Sequence, residues 1–258
     1  MKTGVVCMIL KGKISIVTGS SKGIGKATVI ELAKEGSNVV INYNKSEEEA
    51  MAVKRQVEEF GVEALVVKAD VSKFKDAKHL IDTTVDTFGH IDILVNNAGV
   101  FKSNFIQNLP PEEWRFMIDV NLTSMYNCTH EAVKHMIKQR QGRIINVTSI
   151  YGISGYAFPW YTEIGISAYA AAKAGIIGFT KALAKELSQY HINVVAVAPG
   201  ATLTDSWKQS PQELINRISE HIPLRRFAEP KEIAEAIVFV AKADYMTGNV
   251  IVVDGGVI

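Results

Sequence analysis

The chain has 258 residues, 47% of them hydrophobic and 21% charged, the composition of an ordinary globular protein with a full core. Lys+Arg 28 against Asp+Glu 27 leaves a formal net charge of +1, and no segment gathers a basic stripe, which argues against nucleic acid or an anionic membrane as the main partner. The two cysteines, Cys7 and Cys128, lie far apart without metal-ligand spacing, so they read as ordinary thiols in a reducing, cytoplasmic setting.

In chain order, residues 1–12 read as a short N-terminal extension, because the apolar run Val5–Leu10 is too short to span a bilayer and lacks a signal-cleavage site. The β-type run Ile14–Thr18 follows, and then a turn in which Gly19, Gly23 and Gly25 stand in a G-x-x-x-G-x-G pattern before a helix. Glycine there lets the backbone bend off the strand and approach a pyrophosphate, while the helix start offers unpaired N–H groups to the anion. A purely structural turn uses glycine for the same steric reason, so the pattern alone leaves both readings open.

Six more β-type runs follow at Asn38–Tyr43, Glu63–Ala69, Ile91–Val95, Arg143–Thr148, Ile192–Ala198 and Val250–Val253. Between them, Ser46–Phe60, Phe74–Phe88, Glu112–Gln139, Ser167–Gln189 and Pro230–Ala243 carry apolar residues at helical spacing. This alternation predicts an α/β fold: one doubly wound domain over residues 13–258, with a seven-stranded parallel sheet covered by helices on both faces. A ligand is expected beyond the carboxyl ends of the strands, at the switch point.

Within the fourth of these helices, Tyr169 and Lys173 are four apart and share a face. A free tyrosine titrates near ~10, too high for proton transfer at neutral pH. An ammonium ~5 Å away at an effective dielectric of ~20 would favour the phenolate by about 3 kcal/mol, roughly two pKa units. Taken alone, the pair is also a common coincidence of any helix.

Together these stretches resemble the short-chain dehydrogenase/reductase family over nearly the whole chain. The matching residues are Thr18-Gly19-x-x-x-Gly23-Ile24-Gly25, Asp70-Val71, Asn96-Asn97-Ala98-Gly99, Asn121, Ser149, Tyr169-x-x-x-Lys173, Pro199-Gly200 and Val253-Asp254-Gly255-Gly256. Within the family the chain is most similar to the 3-oxoacyl-[acyl-carrier-protein] reductase type, through Thr148-Ser149, Ala171-Ala172-Lys173-Ala174-Gly175 and the run Asn193–Gly200. Sugar, polyol and secondary-alcohol dehydrogenases share those phrases, and a non-enzymatic nucleotide sensor on the same fold is a third reading, opposed by the complete catalytic set.

The resemblance implies a Rossmann fold and an oxidoreductase in which Tyr169 donates a proton to a carbonyl oxygen as hydride arrives at carbon. It implies that Lys173 favours the phenolate and holds the nicotinamide ribose, that Ser149 hydrogen-bonds the carbonyl oxygen, and that Asn121 completes a proton path through water. Asp70 and Val71 are implied at the adenine, Asn97, Ala98 and Gly99 along the ribose side, and Thr202 and Thr204, after Pro199 and Gly200, at the carboxamide. The glycine turn, with Ser21, Lys22 and Ile24, would take the pyrophosphate end. No acid stands at the end of the second strand, Asn42-Tyr43-Asn44-Lys45-Ser46, and Lys22 and Lys45 could face a 2′-phosphate, so NADPH is expected ahead of NADH.

Four further expectations follow. Tyr169 comes twenty residues after Ser149, where about thirteen is usual, so that Thr162 stands at the customary tyrosine position and about seven residues must loop out. The segment Gly155–Gly165 is therefore expected either as a wall of the substrate pocket or against a neighbouring subunit. The stretch 201–228, with Trp207 and the amphipathic run Pro211–His221, would be a flap over the substrate. Lys138, Arg140 and Arg143 would form one basic patch for an acidic carrier protein, with Tyr190 and His191 only half completing a second. The helices Glu112–Gln139 and Ser167–Gln189 are apolar over much of their circumference, and the resemblance implies that they pair in a homotetramer.

Overall fold

The computed structural model describes residues 9–156, 158 and 163–258. Cys7, most of the expected N-terminal extension, Trp160 and Thr162 lie outside the described residues. Seven strands, β1 (Ile14–Val17), β2 (Asn38–Tyr43), β3 (Ala64–Lys68), β4 (Ile93–Asn96), β5 (Gly142–Val147), β6 (Ile192–Pro199) and β7 (Val250–Val253), form one sheet in the order β3-β2-β1-β4-β5-β6-β7. Every pairing is parallel. The order reverses between β1 and β4, which is the switch point the doubly wound pattern predicts.

Successive side chains of a strand face opposite sides of a sheet, so a strand covered on both faces must be apolar at nearly every position. The central strands satisfy this with alternate residues feeding two separate cores. Val17, Val95, Ile145 and Val195 pack against α1 (Gly23–Lys34), α2 (Glu47–Glu58) and α9 (Pro230–Lys242), through Val29, Leu32, Val53 and Ile237. Their neighbours Ile16, Leu94, Ile144 and Val194 pack against α3 (Phe74–Phe88), α5 (Ser124–Gln139) and α7 (Ser167–Leu187), through Leu80, Ile81, Met136 and Leu187. At about 25 cal/mol per Å² of apolar area removed from water, these two layers supply most of the driving force for folding. Leu10 joins the first core and the Gly12 N–H donates to the Gly36 carbonyl at 2.8 Å, so the chain is already packed four residues before β1.

The expected helix over 112–139 is divided. α4 (Pro111–Ile118) passes through a π-helical turn, Asp119–Thr123, into α5. Asn121 sits in that turn, fully buried, its Nδ2 donating to the Met117 carbonyl at 3.0 Å and its Oδ1 accepting from the Val100 N–H at 3.1 Å. One extra residue in the turn leaves the apolar period almost unchanged, which is why periodicity reads the whole stretch as one helix. Two short helices complete the chain: α6 (Tyr151–Ser154), just after β5, and α8 (Gln212–Glu220), within the expected flap. The Thr202–Ala228 bridge, with Ala228 N–H donating to the Ala201 carbonyl at 2.9 Å, closes the base of that excursion.

Candidate active site

Because the sheet is parallel, every strand-to-helix connection opens on one edge, and that edge collects almost every residue singled out from the sequence. After β1 comes the turn Thr18–Lys22. Gly19 and Gly23 have φ of +61° and +55°, a left-handed backbone that side chains disfavour. Asn42 on β2 supports the turn: its Oδ1 accepts from the Gly19 N–H at 3.0 Å, and its Nδ2 donates to the Val67 and Ala69 carbonyls on the β3 side. From β4, Asn97 Nδ2 donates to the Thr18 and Gly19 carbonyls, and the Thr18 hydroxyl accepts from the Asn97 and Ala98 N–H groups. The Asn97 side chain thus braces the glycine turn, and Ala98 and Gly99 continue along the same edge.

The first turn of α1 has no side-chain cap and no acidic residue, so the donors at Gly23, Ile24 and Gly25 and the positive end of the helix dipole face the cleft. Such a terminus suits a pyrophosphate, and the residues present fit a dinucleotide. Along the same edge, Asn44 and Lys45 are exposed and Ser46 stands at the N-cap of α2. Asp70 accepts from the Ser72 N–H and hydroxyl, and Asn127 of α5 donates to the Val71 and Ser72 carbonyls, fixing the loop after β3. Beyond β6, Pro199 pairs with Val253, the Thr202 hydroxyl donates to the Gly200 carbonyl at 3.1 Å, and Thr204 lies against Gly23 across the cleft mouth. Lys22, one of the two lysines expected to face a 2′-phosphate, pairs with Glu49 of α2 at 2.6 Å.

At the centre of the edge, β5 delivers Ser149 and α7 delivers Tyr169 and Lys173. Two reciprocal bonds lock these elements together. The Thr148 hydroxyl donates to the Lys173 carbonyl at 2.7 Å, and Lys173 Nζ donates to the Val147 carbonyl at 3.0 Å. α6 then turns so close to α7 that a Cβ on Gly152 would stand 2.6 Å from the Lys173 carbonyl carbon. The ammonium lies 5.6 Å from the centre of the Tyr169 ring, as helical spacing requires, and a Cβ on Gly99 would be 3.5 Å from it and 2.8 Å from Asn121 Oδ1. Asn121, Ser149, Tyr169 and Lys173 are therefore gathered at one place.

The electrostatics differ from the expectation that the ammonium acidifies the phenol. Burial pushes Tyr169 up to about 12, with a hydrogen bond to Ser149 as the opposing influence, and burial lowers Lys173 to about 8. Desolvation dominates because Lys173 Nζ points at the Val147 carbonyl, while Phe101 and Tyr151 stand edge-on to the Tyr169 ring at 5.1 and 6.2 Å. Neither aromatic neighbour is evident from sequence spacing, nor are the supports Asn42 and Asn127. Thr18 and Thr148 lie inside the matched motifs, and their side-chain bonds explain why a hydroxyl belongs at each position.

The basic patch needs correction. Arg143 is almost fully buried, its guanidinium spent on the Ala243 carbonyl at 2.5 Å and on Asp244 at 2.8 Å, so only Lys138 and Arg140 present charge at the surface. Arg143 is the second residue of β5, at the sheet's amino edge, and its side chain reaches the chain just after α9. Lys138 and Arg140 sit at that same edge, opposite the Tyr169 edge of the same chain. Among the described residues no group of His, Cys, Asp and Glu could hold a metal ion, and no helix is long and apolar enough to cross a membrane.

Comparison with known proteins agrees with this geometry. The short chain dehydrogenase family pattern matches residues 13–214. A 3-oxoacyl-[acyl-carrier-protein] reductase from Staphylococcus epidermidis is 42% identical over 246 residues, spanning 95% of this chain and 98% of that protein. One from Synechocystis sp. is 43% identical over 252 residues, spanning 96% and 98%. Among solved structures, a double mutant of a Serratia marcescens short-chain dehydrogenase/reductase aligns with a TM-score of 0.89 at 32% identity, over 97% of this chain and 99% of that one. Sequence, fold and clustered site together establish that the chain belongs to the short-chain dehydrogenase/reductase family, nicotinamide-dependent oxidoreductases that act on CH–OH and carbonyl groups.

Proposed function

We propose that the protein reduces the ketone of a 3-oxoacyl thioester, carried by an acyl-carrier protein or coenzyme A, to the 3-hydroxyacyl product, with NADPH as cofactor. The observation that carries this reading is the half-buried Tyr169 phenol, flanked by Ser149 and Lys173 on the same sheet edge as the uncapped start of α1. The named activity of relatives at 42% and 43% identity supports the substrate class. When bound, the nicotinamide supplies hydride to the carbonyl carbon. Ser149 holds the carbonyl oxygen and offsets its developing charge. Tyr169 gives that oxygen its proton, and the Lys173 ammonium stabilises the phenolate left behind. Asn121 acts by position, since both ends of its amide are already bonded within the chain. It holds the π-helical turn beside Gly99 and Lys173.

NADPH is favoured by Lys45 and Lys22 beside the end of β2, where an acid would repel the 2′-phosphate. The direct experiment follows NADPH oxidation with acetoacetyl-CoA beside a panel of sugars, polyols and simple ketones. Turnover with the thioester at least about tenfold above the panel in kcat/KM supports the assignment. Preference for a sugar or alcohol overturns the substrate class, and tight NADPH binding without any carbonyl reduction overturns the reaction.

A further inference from the structure

The described residues between α6 and α7 are tied down at several points. The Tyr156 hydroxyl donates to the Ile164 carbonyl at 2.8 Å, and the Asn104 N–H donates to the Gly165 carbonyl at 2.7 Å. At that junction a Cβ on Gly165 would be 2.3 Å from the Asn104 backbone, so the end of the segment is pressed onto the loop after β4. Glu163 meets Arg217 of α8 in a two-armed ion pair, the longer arm at 2.9 Å. Between these ties Phe158 is buried with Ile218, Ile222 and Phe227 of the flap. Tyr151 then stands edge-on between the catalytic ring and Phe158, 6.2 Å from Tyr169 and 6.4 Å from Phe158.

We propose that Phe158 is a specificity element that fills the space between the catalytic phenol and the flap, restricting the pocket to carbonyl substrates with a short or compact chain beyond the reacting carbon. The proposal rests on the carbonyl-reductase reading of the same site. A long acyl chain must run from the reacting carbon under the flap, and that path meets a ring held by apolar partners on α8 and just beyond it. Lifting the flap to make room extracts Phe158 from those partners and breaks the Glu163–Arg217 pair. The ring is the stronger restraint, because the ion pair is about half exposed and such pairs hold little.

The test measures kcat/KM for four-carbon and eight-carbon 3-oxoacyl thioesters in the wild type, Phe158→Ala, Phe158→Leu and Glu163→Gln. The ratio of long to short substrate is expected to rise about tenfold in Phe158→Ala, mainly through a lower KM for the long substrate, with a smaller rise in Phe158→Leu and the smallest in Glu163→Gln. An unchanged ratio, or both substrates losing rate together, overturns the proposal, and Phe158→Leu decides it should the alanine variant fail to fold. Where the wild type turns over no thioester, simple ketones of graded length replace them. That outcome rejects the thioester reading, while the ratio still decides the role of Phe158.

Discussion

Tyr169 and Lys173 were legible as a pair, since i,i+4 spacing fixes their shared face, but the sign of the phenol's shift was not. Two rings from separate connections, Phe101 after β4 and Tyr151 at the start of α6, stand edge-on to the phenol, and nothing in local sequence announces them. A phenol pushed up to about 12 stays protonated at neutral pH and suits the reductive direction, in which it must give a proton. Lys173, lowered to about 8, is charged below that value and neutral above it. Only the charged form stabilises the phenolate, so kcat/KM for reduction should be level below pH about 8 and fall toward tenfold per pH unit above it. A pH–rate profile checks this. A rate that keeps rising through pH about 9 would remove the ammonium from that role.

At the scale of elements, the strands were readable because their alternate positions feed two cores, leaving runs of Val and Ile that few other structures need. Short or composite elements escaped: α6 has only four residues, too few to show a period, and the π-helical turn at Asn121 hides inside an apolar pattern. The meeting of α1 and α2 was equally hidden, because Lys22 and Glu49 come together only when both helix starts reach the same edge. That exposed pair is weak, and a 2′-phosphate would compete with Glu49 for the ammonium. Lys22→Ala should therefore lower the NADPH-over-NADH ratio of kcat/KM about tenfold, and Glu49→Gln should raise it. Steady-state rates with both cofactors decide this, and a wild type preferring NADH would contradict the electrostatic account.

For the molecule as a whole, the alternation of strands and helices defined the doubly wound sheet, and the parallel topology then placed residues from six connections on one edge without further instruction. In the expected basic patch only Arg143 departs, drawn inward by Asp244, a partner about a hundred residues distant in sequence. The outer faces of α4 and α5 keep Trp114, Phe116 and Tyr126 partly open to solvent, and Phe239 on α9 is also exposed. These faces fit the homotetramer that the family likeness implies, and light scattering should give about four times the 28.3 kDa chain mass. A monomeric mass at micromolar concentration would refute it.

The central claim is that the Tyr169 phenol delivers the proton in a nicotinamide-dependent carbonyl reduction, and Tyr169→Phe addresses it with the smallest change, one hydroxyl. NADPH affinity, measured by quenching of intrinsic fluorescence, should stay within about threefold of wild type, while kcat for the thioester falls by about a thousandfold or more. A Tyr169→Phe protein that turns over at a near-native rate would contradict the account.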